Sequence, residues 1–478
     1  MRKHAVGVAL VWLTVLTSEA ARAQALDSLN TALAEVVAVR APVVALVHVR
    51  VIDGTGAAPR EDQTVLLRGG RIEAVGPAGE ISSPAEAEVL DLAGHTVIPG
   101  IVGLHDHTFY TTAQRRAQLS FSAPRLYLAS GVTTIRTTGS YCPYCELNLK
   151  REIEAGEVPG PRIHVTSPYL TGPGGGSQMS VLTDAEDARR VVAYWAEEGV
   201  TWFKAYADIR RAELEAVIDE AHEHGLKVTG HLCSVSFREA VSLGIDNLEH
   251  GLFTNSDWVA ERQPDLCPDD LAEQLAQVAV EGDEVRETIR AMLDSDVALT
   301  STLAVYELIV PGRPPFDERV RRVLAPEALE EYLEIRGVVA TRADSAGSVW
   351  PELFRKAQAF ELAFHESGGL LAAGVDPTGI GGALPGFGDQ RNFELLVEAG
   401  FTPVAAIQVM TLNGARVLGE EDLYGSIEPG KLAELVVIQG DPTSDPAGIR
   451  NVRMVFKDGL GFESEKLIAS VEGVVGVR

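Results

Sequence analysis

Apolar and polar positions alternate at both ends of the chain, and a longer rhythm fills the middle. "VVALVHVRVIDGTG" and "TVLLRGGRIEAVGP" repeat apolar residues with a period of two and break at Gly, Asp and Pro. That pattern predicts strands joined by tight turns. It returns near the C-terminus in "GSIEPGKLAELVVIQGDP" and "NVRMVFKDG". Two β-rich ends around one middle predict a small β-sandwich domain formed from both, over residues 24–96 and 421–478. At its start, "QALDSLNTALAEVVAVR" spaces Leu26, Leu29, Leu33 and Val36 at helical intervals, which predicts a short leading helix.

Between these ends the chain alternates strand-like and helix-like segments. The strand-like runs are "GIVGLHDH", "GVTTIRTT", "PRIHVTS", "GVTWFKAY", "LKVTGH", "IDNLEHG", "VALTSTL" and "GGLLAAGVDP". Helical stretches such as "DAEDARRVVAYWAEEG" and "RAELEAVIDEAHEHG" are rich in helix formers and closed by Gly. Eight strands, each followed by helix, predict an α/β fold, a (β/α)8 TIM barrel over residues 97–420. Segment 304–365 is longer than an ordinary crossover and predicts extra helices over the barrel mouth.

Candidate chemistry follows from where the ionisable residues fall on that pattern. His105 and His107 stand one residue apart at the end of the first run, so alternation points both to one side and Asp106 to the other. Lys204 lies in the fourth run, His231 ends the fifth, His250 ends the sixth and Asp376 ends the eighth. In a barrel these ends converge on one mouth, where the chemistry of the fold resides. His222, His224 and His365 lie on helical patterns, and His95 and His164 lie in strands without terminal placement. These five are read as packing or solvent-facing residues, as are Tyr110 and Tyr306. Arg136, Tyr206 and Arg391 are candidate contacts for a substrate carboxylate or an oxyanion.

The first residues have their own logic. "MRKHAVGVALVWLTVLTSEAARAQA" joins a basic start to a short apolar run and an Ala-x-Ala site, which predicts a cleavable signal peptide over residues 1–23. The run is shorter than the roughly 20 residues that span a membrane, so the expectation is a periplasmic or secreted protein without a stable membrane anchor. The formal net charge of −27 at pH 7 repels phosphate backbones and argues against nucleic-acid partners. Four cysteines in an exported chain are compatible with disulfides. Cys142 and Cys145 in "CPYC" read as a local bridge or a pair of structural thiols, and Cys233 and Cys267 as a loop-to-loop bridge, with the pairing open.

These residues carry a resemblance. The entry "VIPGIVGLHDH", then "GVTTIR", "FKAYAD", "VTGHL", "NLEHG", "GVDP" and the closing "GSIEPGKLAELVVIQGDP" after "TLNGARVLG" resemble the amidohydrolase superfamily. The similarity is to its binuclear-metal branch near imidazolonepropionase-like proteins and the Xaa-Pro and Xaa-Arg dipeptidases. It implies that His105, His107 and Asp376 bind one ion, that His231 and His250 bind a second, and that carboxylated Lys204 bridges them. It also implies Asp376 as general acid/base, and amide cleavage in a small substrate by a hydroxide held between the ions. Imidazole and carboxylate donors without thiolate suit Zn2+.

Three positions depart from the dipeptidase pattern. Arg136-Thr137-Thr138-Gly139 stands where Arg-Asp is usual, Gly176-Ser177 where Gly-His is usual, and "FGDQRNFELL" lacks a histidine. The expected substrates therefore range over a dipeptide, an N-acyl amino acid and an aromatic amide. The alternatives are a cyclic amide hydrolase or deaminase of the same superfamily, or an exported binding protein without catalysis. A homo-oligomer is compatible with all of these.

Overall fold

Eight parallel strands close into a ring in the computed structural model, which describes residues 30–478 apart from 113, 177, 342–347 and 379. The expected signal peptide, and Leu26 and Leu29 of the leading helix, lie outside the described residues. The barrel strands are β1 (Ile101–Asp106), β2 (Val132–Thr137), β3 (Arg162–Thr171), β4 (Trp202–Ala205), β5 (Lys227–Gly230), β6 (Asn247–Glu249), β7 (Ala298–Ser301) and β8 (Leu371–Ala373). Each pairs in parallel with the next, and Ala373 of β8 pairs with Gly103 of β1 to close the circle. All eight strand-like runs thus become barrel strands in the order read from the sequence.

The helices between them are set by local chemistry. Ala185–Glu198 begins where the Asp184 carboxylate accepts from the Asp187 N–H, and it stops at Gly199, whose φ of +96° suits a left-handed cap. The insertion after β7 supplies Leu303–Glu307, Glu318–Val323, Pro326–Thr341 and Trp350–Glu366. Among the described residues no helix is long and apolar enough to cross a membrane.

Strands from both ends of the chain form a separate nine-stranded sheet, with His95–Pro99 antiparallel to Leu435–Gln439 at its centre. Alternation divides its side chains between two cores. Val436 and Ile438 pack with the barrel, whereas Leu435 and Val437 join Val49, Val65 and Phe456 in a smaller core. Only Gly100 separates His95–Pro99 from β1, so the sheet registers the strand that carries His105. The last residues leave this sheet. Ser464–Ala469 packs on Ser122–Ala129, where Ser464 Oγ donates to the Ala129 carbonyl at 2.6 Å. Of the leading helix, Thr31–Ala34 is present, and Val37–Val39 has become an edge strand of the sheet.

Candidate active site

The six residues singled out at strand ends meet at the C-terminal mouth of the barrel, and all but His231 are less than about a tenth exposed. The imidazole centroids of His105 and His107 lie 5.5 Å apart, those of His105 and His250 4.5 Å, and those of His231 and His250 4.4 Å. One donor atom each from His105, His250 and Asp376 fall within 4.8 Å of one another. This tightest grouping joins residues expected on two different ions, so the site is one compact cluster.

Backbone constraints hold the cluster in place. Where β8 crosses β1, a Cβ on Gly374 would lie 2.3 Å from the His105 nitrogen, so only glycine allows the approach. Two residues later the Asp376 N–H donates to the His105 carbonyl at 2.7 Å. Both Asp376 (φ +48°) and His250 (φ +66°) adopt left-handed conformations uncommon outside glycine, a strain that concentrates at functional sites.

The surrounding hydrogen bonds orient each ligand. His105 Nδ1 donates to Glu249 Oε2 at 2.8 Å, and His250 Nδ1 pairs with Thr302 Oγ1 at 2.7 Å. His107 Nε2 lies 3.1 Å from Asp376 Oδ1, and His105 Nε2 lies 3.6 Å from the same oxygen. Asp106 points away from the cluster, as alternation requires, and its carboxylate accepts from the Val375 N–H at 3.1 Å. Burial raises Asp106, and Asp389 beside it rises to about 7 for the same reason.

Three buried polar atoms in the cluster have no hydrogen-bond partner: His107 Nδ1, Lys204 Nζ and His250 Nε2. Such orphans are costly unless something binds them. Burial lowers His105 and His250 well below the usual imidazole range and pushes His231 down to about 3, so all three are neutral at pH 7. Burial also brings Lys204 down to about 8, which makes its free amine accessible near neutral pH. Burial raises Asp376, but His105, the His107 hydrogen bond and Lys204 outweigh it and hold the carboxylate low. Neutral imidazoles, one anionic carboxylate and an unpartnered lysine form a donor set that fits divalent metal ions.

A cavity of about 410 Å³ opens over the cluster. His105, His107, His231 and Asp376 form its floor, and Tyr141, Tyr169, Tyr206 and Tyr306 stand in its wall. Tyr206 is thus where the sequence reading placed it. Tyr306, read as a packing residue, lines the cavity, whereas Tyr110 is packed against the Gly381 and Gly476 backbones.

The two arginines proposed as substrate contacts need correction, because neither lines this cavity. Arg136 is fully buried inside the barrel and donates to Glu249 (2.6 Å), Asn247 (3.1 Å) and the Leu104 carbonyl (2.8 Å). Arg391 is bound by Glu307 and Glu394, at 2.6 Å each. Arg136 is the fifth of the six residues of β2, all of them buried, and an arginine so placed needs an interior anion. The histidines left outside the site engage elsewhere: His164 with Glu420, His222 with Asp246, His224 with Glu220, His95 with Arg453, and His365 against Phe401.

Both cysteine pairs are disulfide-bonded, Cys142 to Cys145 and Cys233 to Cys267. The first follows Tyr141, and the second ties down the loop after His231.

Comparisons with known proteins agree with this geometry. An imidazolonepropionase of Geobacillus kaustophilus is 24% identical over 79% of this chain and 84% of its own. A solved structure described as a prolidase of Bifidobacterium longum superposes with a TM-score of 0.66 at 26% identity, covering 88% of this chain and 94% of that one. A structure described as a Xaa-Pro dipeptidase with bound methionine superposes with a TM-score of 0.66 at 21% identity, covering 88% and 100%. The amidohydrolase family profile matches residues 96–460, from the strand before β1 to the last strand of the small sheet. The chain therefore belongs to the amidohydrolase family, and it is a hydrolase acting on carbon–nitrogen bonds.

Proposed function

We propose that this protein is an exported, binuclear-metal amidohydrolase that cleaves an amide bond of a small substrate. The observation that carries the reading is the convergence of His105, His107, Lys204, His231, His250 and Asp376, three of them with buried, unpartnered nitrogens. Zinc suits the donor set, and Lys204, carboxylated by carbon dioxide, offers an anionic oxygen where an ammonium offers none. When bound, the two ions make a water acidic enough to ionise near neutral pH and polarise the scissile carbonyl.

The chain's own residues do the rest. Asp376 remains ionised at neutral pH, takes the proton of the attacking water and returns it to the leaving nitrogen. Glu249 and Thr302 fix the tautomers of His105 and His250. Tyr206, one residue beyond β4, is kept a neutral phenol by burial and offers its hydroxyl to the substrate.

The names of the dipeptidase and prolidase relatives support a linear amide, with substrates from a dipeptide or N-acyl amino acid to an aromatic amide. The imidazolonepropionase relatives favour a second reading, a cyclic amide opened without release of an amine. The basic, apolar, Ala-x-Ala leader and two disulfides support export to the periplasm or beyond.

The decisive experiment is metal analysis of the mature protein prepared with zinc and bicarbonate, followed by an amine-release screen over these amide classes. About two ions per chain and a chelator-sensitive release are expected. A well-folded protein that takes up no metal would instead favour a binding protein.

A further inference from the structure

A run of packed rings passes through the cluster and its cavity; Tyr141, Tyr169, Tyr206 and Tyr306 line the cavity wall, and Phe109, His250 and Phe253 pack outside its lining. Phe109, Tyr141, Tyr169, Tyr206 and His231 follow one another with centroid separations of 4.9, 5.0, 5.1 and 4.6 Å. The series continues through His250 to Tyr306, at 4.4 and 5.4 Å, and ends where Tyr306 stacks on Phe253 at 3.8 Å. These rings come from seven of the eight barrel strands or the segments that follow them, so the aromatic arc exists only in the folded barrel. Val305, Ile309 and Ile380 add apolar surface to the same cavity.

The charge of this wall is as telling as its shape. Four of the rings, those of Tyr141, Tyr169, Tyr206 and Tyr306, are phenols and bring no charge to the cavity. Among the described residues that line the cavity none is Lys or Arg. The two arginines that sequence offered for a carboxylate are committed to Glu249 and to Glu307 with Glu394. Arg116 lies over the Tyr141 ring at 3.8 Å and is bonded to Gln178. A carboxylate pressed against this wall loses its water without gaining a cation, which is unfavourable. A flat apolar ring gains offset and edge-to-face contacts along the arc and apolar contact on the far side. A volume of about 410 Å³ lies within the usual range for small-molecule sites.

We infer that the part of the substrate beyond the scissile amide is an uncharged aromatic ring, so that the preferred class is the neutral aryl amide. Its chemistry rests on the amide-hydrolysis reading above, which it narrows. In the reaction, water adds to the acyl carbon, the carbon–nitrogen bond breaks, and the proton passed through Asp376 leaves on an arylamine.

The test uses acetanilide and its twin 4-acetamidobenzoate, which differ only in a ring carboxylate. Both are titrated calorimetrically into the zinc-loaded protein and into Tyr169→Leu. Acetanilide is expected to bind at least ten-fold tighter than its twin, and Tyr169→Leu to narrow that gap at least five-fold. A ratio of two ligands on one sample is insensitive to loss of folded protein. Equal or tighter binding of the twin, no binding of either, or an unchanged gap in Tyr169→Leu overturns the inference. Release of aniline and aminobenzoate is followed separately. Binding as expected with no amine released overturns the hydrolytic reading alone; faster release of aminobenzoate overturns the preference for an uncharged ring alone.

Discussion

Glu249 Oε2 accepts a hydrogen bond from His105 Nδ1 across 2.8 Å, and both side chains are buried. Glu249 also receives Arg136 Nη2 at 2.6 Å and the Thr229 hydroxyl, so one carboxylate links β2, β5 and β6 to the ligand on β1. The consequence for His105 is chemical: a proton fixed on Nδ1 leaves the Nε2 lone pair free to bind a metal.

Glu249→Gln is therefore expected to lower metal affinity and turnover together by about 10–100-fold. It also leaves Arg136 buried without an anion, at a cost of about 3–5 kcal/mol in stability. Chelator competition and thermal melting measure the two effects. Unchanged metal affinity would show that Glu249 serves only the arginine.

The same pair marks the limit of what the sequence discloses. All six converging residues were legible because each sits at a strand end in a chain that alternates strand and helix. Glu249 was not, although Asn247 and Glu249 alternate onto one side of β6 and both receive Arg136. Arg136 was a candidate substrate contact, yet it is the fifth of six residues in a strand that is buried throughout, and its guanidinium is taken up inside the barrel. Tyr141 and Tyr169 carry no periodic signal at all. Their approach depends on how the loop after β2 returns over the mouth and on how far β3 extends beyond its neighbours, which local spacing does not encode.

Lys204 tests the bridging role. Its amine is buried without a partner, so Lys204→Ala removes no side-chain hydrogen bond, and circular dichroism checks that the variant is folded. Metal occupancy and turnover are expected to fall together, with partial rescue by short carboxylic acids that supply the missing oxygen ligand. Metal content by elemental analysis, with and without propionate, reads this directly. Full occupancy and full activity in the variant would remove Lys204 from the site.

Asp376 combines two duties, and its conservative variant separates them. Asp376→Asn keeps the side-chain shape but accepts no proton, so turnover should fall by about 10²–10⁴-fold. KM should change far less if binding is carried by the tyrosine wall. Steady-state kinetics on one amide substrate settles the point, and activity within a few-fold of the parent would deny Asp376 the proton-transfer role.

Glu361 offers a test of buried charge away from the metal ligands. It lies on Trp350–Glu366 behind His250, with Oε2 unpartnered, and burial raises its carboxyl to about 8. A raised carboxyl stabilises the fold below its unfolded value of about 4.5, and that contribution disappears as pH rises through 8. Between those values the unfolded chain ionises Glu361 freely while the folded chain resists, so the parent loses stability. Glu361→Gln has no proton to lose. It should match the parent near pH 4.5 to within the difference between an acid and an amide, and gain on it steadily up to pH 8. The rise from 4.5 to about 8, at about 1.4 kcal/mol per pKa unit, sets the expected margin at pH 8 at roughly 3–5 kcal/mol. Denaturant melts of both proteins at pH 5 and pH 8 measure it, and a margin that does not grow with pH would mean that Glu361 is ionised in the folded barrel.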